Sequence, residues 1–467
     1  MDGLWQHQRD AVEWSTGRKS VLLHHEPGCG KTRTTLEILR RLMEDAAGDQ
    51  RFLTLVCCPK AVIPAWSKQV GLWMPELRVV SLTKGTSRDK AKCLLATLSD
   101  KTPTLVVVNY ESGWRIPEID KVSWSAVVWD EVHKLKSPSG SASRWAGRLC
   151  KSLPEATKIG LSGTLIPHSI LDAYGVYRSV EAPECPTFGQ SYTKHKWKYA
   201  VVAPGQNFVI GFRNLEEAHR KIASTTHHVK SADVLDLPPI RFIDTPCELS
   251  PQEAKIYREI EREFCAVAEA GTVTPKNALE QLLRMQQSCG GAVRYDGESV
   301  ARPIVERGGK ADVLAEAIDG FSSSERIVVF CRFTSDITAA RAVCEAAGRS
   351  VSELSGRINE LSAWQQGDTT VLLAQIQAGG IGVDMSTASS AFFFSLGFSL
   401  SDYIQAVARL HRPGQSSPTT IWHLIATIDG RQTVDGRVYE ALRDRKEVLD
   451  AIIDGYGKRG AAPVGAV

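Results

Sequence analysis

Short runs of apolar, β-branched residues separated by amphipathic stretches recur along this chain. That pattern suits buried parallel strands alternating with helices. A first series predicts strands near 21–24, 52–58, 104–109, 125–129 and 158–161, and a second near 326–331, 369–374, 391–395 and 419–425. Between them, over about 168–300, the pattern reads as mostly helical, with Leu215-Glu216-Glu217-Ala218, a long run from Pro251 to Glu269, and a run from Ala278 to Gln287 that Gly290-Gly291 breaks. The segment Arg302 to Gly309 reads as a linker before a helix starting near Lys310. The expected fold class is therefore α/β, with two parallel-sheet lobes and a helical insertion between them. The expected boundaries are 1–167 for the first lobe, 168–300 for the insertion, 301–450 for the second lobe with a closing helix, and 451–467 for a disordered tail.

Two patches within this frame carry chemistry. Ser20-Val21-Leu22-Leu23-His24 leads into Glu26-Pro27-Gly28-Cys29-Gly30-Lys31-Thr32 and then the helical Thr35-Leu36-Glu37-Ile38-Leu39. A strand, a glycine loop and a helix N-terminus in that order form a phosphate cradle. Gly28 and Gly30 let backbone N–H groups approach phosphate oxygens, Lys31 reaches the β- and γ-phosphates, and the Thr32 hydroxyl ligates Mg²⁺. His25 stands where the full consensus has glycine. The second patch is Ala126-Val127-Val128-Trp129 followed by Asp130-Glu131-Val132-His133. Carboxylates at the carboxyl end of a parallel strand lie where open α/β sheets bind ligands. Asp130 is expected to hold Mg²⁺ with Thr32, Glu131 to polarise the attacking water, and His133 to sense the γ-phosphate. The implied small molecules are a nucleoside triphosphate and Mg²⁺.

Composition narrows the class only a little. The chain has 467 residues, 43% hydrophobic and 23% charged, which is ordinary for a globular protein and large enough for several domains. No long uncharged apolar segment predicts a membrane span, and the first residues lack a signal-peptide pattern, so a cytoplasmic setting is expected, in nucleoid, host cell or nucleus according to source. Eleven scattered cysteines without a Cys-x-x-Cys pair point to free thiols, not to a disulfide framework or a zinc site. A net charge of +3 neither demands nor excludes nucleic acid, so any basic surface must be local. Lys194-His195-Lys196-Trp197-Lys198 is one such cluster, although charge runs of this kind are commonly solvated faces.

The order of the remaining short motifs resembles the Swi/Snf-type DNA translocases of helicase superfamily two, over residues 4–450. Gln8, within Leu4-Trp5-Gln6-His7-Gln8, matches the adenine-reading glutamine at the family's start. Cys58-Pro59-Lys60 with Pro64-Ala65-Trp66, Asn109-Tyr110-Glu111, and Leu161-Ser162-Gly163-Thr164-Leu165-Ile166 are similar to its next motifs, with Ser162 for threonine and Leu165 for proline. In the second half Phe330-Cys331-Arg332-Phe333-Thr334 and Gln377-Ala378-Gly379-Gly380-Ile381-Gly382 follow the family's pattern, Asp384 replaces a commoner asparagine, and Gln405-Ala406-Val407-Ala408-Arg409-Leu410-His411-Arg412-Pro413-Gly414-Gln415 fits its most specific signature. Thr433-Val434-Asp435 with Tyr439-Glu440-Ala441-Leu442 resembles its closing brace helix. Asn214-Leu215-Glu216-Glu217 and Val234-Leu235-Asp236-Leu237-Pro238-Pro239 look most like the annealing-helicase branch and its compact bacterial or phage relatives.

The resemblance implies RecA-like lobes with ATP in the cleft between them. It implies that Arg409 and Arg412, three apart and on one face if that segment is helical, reach the γ-phosphate together with Gln405. It implies double-stranded DNA as the track, gripped by phosphate contacts from Lys60, Asn109, Tyr110, Arg332, Phe333, Thr334, Gly379 and Gly380. The expected function is an ATP-dependent translocase on duplex DNA that remodels forks or displaces bound proteins. The expected state is monomeric, without a targeting module of its own, so that targeting comes from a partner such as a replication or recombination protein, from DNA structure, or from nothing. Two rivals stand beside this reading: a strand-unwinding DNA or RNA helicase, and an ATP-binding scaffold that has lost hydrolysis.

Overall fold

The computed structural model describes residues 3–46, 51–166, 169–203, 209–269, 275–294, 300–377 and 383–444. The chain divides into two compact units between Asp236 and Leu237. That boundary lies inside the 168–300 stretch.

The first unit opens with α1 (Gln6–Ser15), β1 (Ser20–His25) and α2 (Lys31–Asp45), followed by β2 (Leu53–Cys58), α3 (Ile63–Trp73), β3 (Arg78–Ser81) and α4 (Ser87–Thr97). It continues through β4 (Thr104–Asn109), α5 (Tyr110–Gly113), β5 (Ala126–Asp130), α6 (Ser141–Ser152), β6 (Thr157–Ser162) and α7 (Asp172–Glu181). Next come α8 (Tyr192–Tyr199), the hairpin strands β7 (Ala200–Val202) and β8 (Val209–Phe212), α9 (Leu215–Thr225), β9 (His227–Val229) and α10 (Ser231–Val234). The main sheet runs β3-β4-β2-β5-β6-β1-β9, and each pairing is parallel. Its inner strands β2, β4, β5 and β6 are buried at every position, as helices on both faces require. β1 is an interior strand, next to the edge strand β9, with Val21, Leu22 and Leu23 buried between β6 and β9, and its carboxyl end carries the glycine loop at the same end of the sheet where the parallel β5 ends.

The second unit comprises β10 (Ile240–Glu248), α11 (Pro251–Glu269), α12 (Pro275–Cys289), the short pair β11 (Ala292–Val293) and β12 (Arg302–Pro303), α13 (Gly309–Asp319), β13 (Ile327–Cys331) and α14 (Thr334–Ala346). After these come β14 (Val351–Leu354), α15 (Leu361–Gln366), β15 (Val371–Gln375), β16 (Ser390–Phe393), α16 (Leu400–Leu410), β17 (Thr419–Ile428), β18 (Arg431–Gln432) and α17 (Val434–Arg443). The sheet order is β10-β17-β16-β13-β15-β14, again parallel, with β18 antiparallel to β17. The two-residue period of β13 sorts its side chains between two cores. Val328 and Phe330 pack with α11, α12 and α16, whereas Ile327, Val329 and Cys331 pack with α13 and α14.

The stretch expected to be mostly helical therefore also holds strands, and β10 belongs to the second sheet. β10 escapes the sequence pattern because it is an edge strand with an alternating, largely exposed face and a proline, Pro246, of the kind only an edge tolerates. The nine strands expected from sequence are all present. The expected tail, and the glycines Gly379 and Gly380, lie outside the described residues.

One buried ion pair ties the second unit together. Lys310, in the first turn of α13, is 1% exposed and donates to the carbonyl of Phe394 at 2.7 Å while pairing with Asp435 of α17. Removing one partner leaves an uncompensated charge in the core. Lys310→Ala is expected to destabilise this unit by about 3–5 kcal/mol in chemical denaturation, and Lys310→Met with Asp435→Leu to recover much of the loss. A single variant as stable as the parent would show that the pair carries no such weight.

Candidate nucleotide site and nucleic-acid contacts

The glycine loop is shaped by what its residues cannot do elsewhere. Gly28 and Gly30 have φ of 88° and 73°, a left-handed backbone that side chains resist. A methyl group at position 30 would also fall 2.1 Å from Gln8 Nε2 and displace that side chain from the loop. Gly30 is the N-cap of α2, yet no side chain caps this helix and no carboxylate lies in its first turn. Its leading N–H groups and positive dipole end are thus offered to an anion, which is what a triphosphate supplies. Lys31 Nζ donates to the His25 carbonyl at 2.9 Å, which holds the ammonium over the loop. Thr32 follows in the same turn. Gln8 sits against the loop: its Oε1 accepts from Trp5 N at 2.9 Å, and its Nε2 contacts the Gly30 carbonyl at 3.4 Å.

His25 departs from the consensus without obstructing the loop. Its side chain is fully buried and turned toward β9, where Nε2 pairs with His227 Nδ1 at 3.0 Å. His24 stacks on His228 at 4.4 Å, and His7 contacts the Cys29 carbonyl at 3.0 Å. Glu26 fixes the far side by accepting from Ser231 N and Oγ at 2.9 and 2.7 Å. Burial, then the neighbouring His228, pushes His24 down to about 4. Burial, then His227 and Lys31, also pushes His25 far below the usual imidazole range. Both rings are therefore neutral in the fold, while an unfolded imidazole titrates near 6.5. As pH falls below about 6.5 the unfolded chain gains protons that the fold refuses, so stability drops by about 1.4 kcal/mol per pH unit and per proton, down to the folded value. Melting temperature is expected to fall between pH 6.5 and 4, and the fall should shrink in a His24→Gln variant. Equal pH curves for the two proteins would remove His24 from this account.

The acidic pair closes the site from β5. Asp130 is 6% exposed and accepts from Trp66 Nε1 at 2.8 Å; burial and the adjacent Glu131 charge raise its carboxyl. Glu131 sits in the left-handed region, with φ 56° and ψ 54°, which costs a non-glycine residue about 1–2 kcal/mol. Strain of this kind persists where surroundings hold it, and it aims the carboxylate off the strand. Burial pushes the Glu131 carboxyl up, but His133 and Lys31 outweigh it and hold it below the ordinary range. His133 Nδ1 lies 3.2 Å from Glu131 Oε2 and 3.0 Å from Ser162 Oγ, and Ser162 Oγ accepts from Thr164 N at 3.0 Å. Gly163 passes so close to the glycine loop that a methyl there would lie 2.9 Å from Pro27. Close polar contacts thus run from Glu131 through His133 to the segment after β6. Thr32 and Asp130 fit a magnesium ion by donor chemistry, one hydroxyl and one buried carboxylate.

Sequence reasoning assigned no role to Trp66, and to Ser162 and Gly163 only the coupling role that the resemblance implies for their motif. Their roles depend on the approach of separate strands and not on local spacing.

The expected nucleic-acid residues are placed unevenly. Lys60 is exposed just after β2, and Thr334 is exposed at the start of α14. Tyr110 is buried, with its hydroxyl on the Asp130 carbonyl at 2.9 Å, and Asn109 donates to Glu111 at 2.7 Å. Arg332 donates to Gln286 at 2.7 Å and lies 4.1 Å from the Phe398 ring; burial lowers it to about 10, and Phe333 is half-buried at the N-cap of α14.

In the second unit Arg409 lies in the last turn of α16, a helix whose N-cap Ser399 accepts from Asp402 N. Arg409 is 6% exposed, burial lowers its guanidinium to about 10, and its Nη1 has no hydrogen-bond partner among the described residues. Gln405 stands one turn earlier. The expectation that Arg409 and Arg412 share a helix face needs correction: α16 ends at Leu410, and Arg412 lies beyond it, 4.0 Å from Asp384. Pro413 disfavours a helical conformation at Arg412, and Gly414, with φ 105°, turns the chain away.

Comparison with known proteins adds the following. The family described as SNF2-related domain matches residues 7–292, and that described as Helicase conserved C-terminal domain matches residues 309–414. The chain is 23% identical to zebrafish (Danio rerio) Chromodomain-helicase-DNA-binding protein 1-like over 474 residues, covering 96% of this chain and 44% of that protein. It is 21% identical to a human SWI/SNF-related matrix-associated actin-dependent regulator of chromatin, subfamily A member 1, covering 94% and 42%. It is 22% identical to an uncharacterized ATP-dependent helicase of Mycoplasma pneumoniae, covering 96% and 42%. The chain thus spans less than half the length of each of these relatives. Among solved structures, a Sulfolobus solfataricus SWI2/SNF2 ATPase core in complex with dsDNA aligns with a TM-score of 0.45 at 20% identity, covering 99% of this chain and 95% of that one. Among the described residues no helix is long and apolar enough to cross a membrane.

Proposed function

This chain belongs to the SNF2-related family of helicase-like ATPases, and on that premise we propose that it converts ATP hydrolysis into movement along double-stranded DNA. One observation carries the proposal: the strained Glu131 is linked through His133 to Ser162, so the group that would activate water is tied to the segment that follows β6. A change at the γ-phosphate then has a physical route into the fold.

In this reading the α2 N-terminus and Lys31 bind the phosphates, and Gln8 contacts the adenine. Thr32 and Asp130 would hold Mg²⁺, which supplies charge neutralisation between β- and γ-phosphates. Glu131 accepts a proton from the attacking water, and His133 reports the result to Ser162. Arg409, with Arg412 and Gln405 beside it, stabilises the charge on the transferring phosphoryl group. Lys60 and Thr334, exposed at the ends of their strands, contact DNA phosphates, while Asn109, Tyr110, Arg332 and Phe333 shape the loops that present them. The DNA-binding and helicase names of the relatives support DNA as the polymer. Fork remodelling or displacement of bound proteins, with a replication or recombination partner, is the use that suits such a motor.

The experiment is displacement of a third strand from a DNA triplex. A translocase that tracks along duplex releases the third strand with ATP and leaves the underlying duplex paired. Separation of the duplex strands themselves would replace this reading with an unwinding helicase.

A further inference from the structure

The basic cluster at Lys194 to Lys198 is not used by the nucleotide site, and its geometry is not that of an ordinary solvated face. α8 is anchored on one side by His195 and Tyr199, both buried. His195 packs edge-on against Phe188 at 5.0 Å, lies 4.8 Å from the Tyr199 ring, and pairs with the Ile170 carbonyl at 3.1 Å. That anchoring turns Trp197 outward, with Lys196 half-buried and Tyr192 packed on the Tyr174 ring at 5.4 Å. Trp197 is 73% exposed, and the hairpin beside it exposes Ile210 and Phe212 as well. A large indole held this open by a rigid helix marks a binding surface.

Together α8, β7 and the residue after β8 line an open pocket of about 710 Å³. Lys196 and Arg213 are the charged side chains among the described residues that line it. Arg213 is itself held in place: its backbone N–H donates to the Tyr199 carbonyl at 2.9 Å, and its guanidinium donates to the Trp197 carbonyl. The neighbouring Lys198 is neutralised by Glu217 at 2.6 Å, on the α9 side and away from the cavity lining.

An open indole face beside two cations matches the chemistry of an unpaired nucleotide, whose base stacks and whose phosphates pair with the cations. A duplex offers its phosphates but hides its base faces. We propose that this platform binds a short single-stranded segment of DNA, with a base on Trp197 and phosphates on Lys196 and Arg213. The site is separate from the residues assigned to hydrolysis and duplex contact. It would direct the motor to places where duplex and single strand meet.

The test is fluorescence anisotropy of the full chain with three labelled DNAs: a 15-nucleotide oligothymidine, a duplex carrying that sequence as a tail, and the blunt duplex. Trp197→Ala is expected to weaken binding of the oligothymidine and the tailed duplex about tenfold or more. It should leave blunt-duplex binding and blunt-duplex-stimulated ATP hydrolysis unchanged. Trp197→Phe should keep most of the affinity, and Lys196→Glu should lose it. Because Trp197 is so exposed, its substitution does not threaten folding, and thermal melting checks this. Unchanged oligothymidine affinity in Trp197→Ala would overturn the proposal. So would competition by polyglutamate as strong as by oligothymidine, which would make the platform a site for an acidic protein. Either failure leaves the translocase reading intact, since that reading is judged on the blunt duplex.

Discussion

A Glu131→Gln variant is expected to bind ATP as tightly as the parent and to hydrolyse it about 10²–10⁴ times more slowly. The amide keeps the volume and most of the hydrogen bonding of the carboxylate but cannot accept a proton from water. The carboxyl is poised for that task because His133 and Lys31 hold it ionised despite its burial. Its left-handed backbone points the same way, since a residue serving only as a strand terminator would relax into an extended conformation. Nucleotide binding followed with a fluorescent ATP analogue, beside a single-turnover hydrolysis assay, separates the two effects. Equal hydrolysis by the two proteins would remove Glu131 from the chemistry. Loss of binding together with hydrolysis would make it a structural support of the loop.

The second large effect is expected at Arg409. Its guanidinium is nearly inaccessible, stays charged at neutral pH, and leaves Nη1 without a partner among the described residues, an arrangement that costs free energy unless another group comes to meet it. An arginine that stabilises a transferring phosphoryl group contributes about 10³–10⁵ in rate. Arg409→Ala should therefore lower kcat by about that factor, leave ATP affinity within a few-fold, and leave the second unit no less stable. Arg409→Lys should fail to restore the rate, because an ammonium lacks the planar fork. Arg412 is the informative control. It lies beyond α16 beside Asp384, so its replacement should cost less than that of Arg409. A larger loss at Arg412 would reverse the assignment.

How much of this was legible in the sequence follows from burial. The interior strands announced themselves, because residues such as Leu53 to Cys58 and Ala126 to Trp129 are apolar on both faces. Of the strands that the pattern did not reveal, the short hairpin pieces aside, β3, β9, β10 and β14 are the strands that end the two large sheets. An edge strand has one partner and often one wet face, so its sequence carries little periodic signal. β10 reads Ile240-Arg241-Phe242-Ile243-Asp244-Thr245-Pro246, yet pairs with β17 along its whole length.

The site divides in the same manner. The glycine loop and the acidic pair were readable because their chemistry is fixed by neighbours in the chain. The links between them were not. Trp66 meets Asp130 across 64 residues, and His133 meets Ser162 across 29. His25 looked like a defect of the loop and is instead a buried partner of His227, on an edge strand too short for the pattern to reveal. The burial of Tyr110, beneath Asp130, likewise depends on the sheet and not on its motif.

The most direct measurement is steady-state ATP hydrolysis with blunt duplex DNA, single-stranded DNA or RNA, beside a Lys31→Ala control. The account predicts strong stimulation by the duplex and none in the control, since Lys31 is the ammonium held over the phosphate loop. Stimulation by single strands or RNA alone, or hydrolysis that survives in Lys31→Ala, would contradict it.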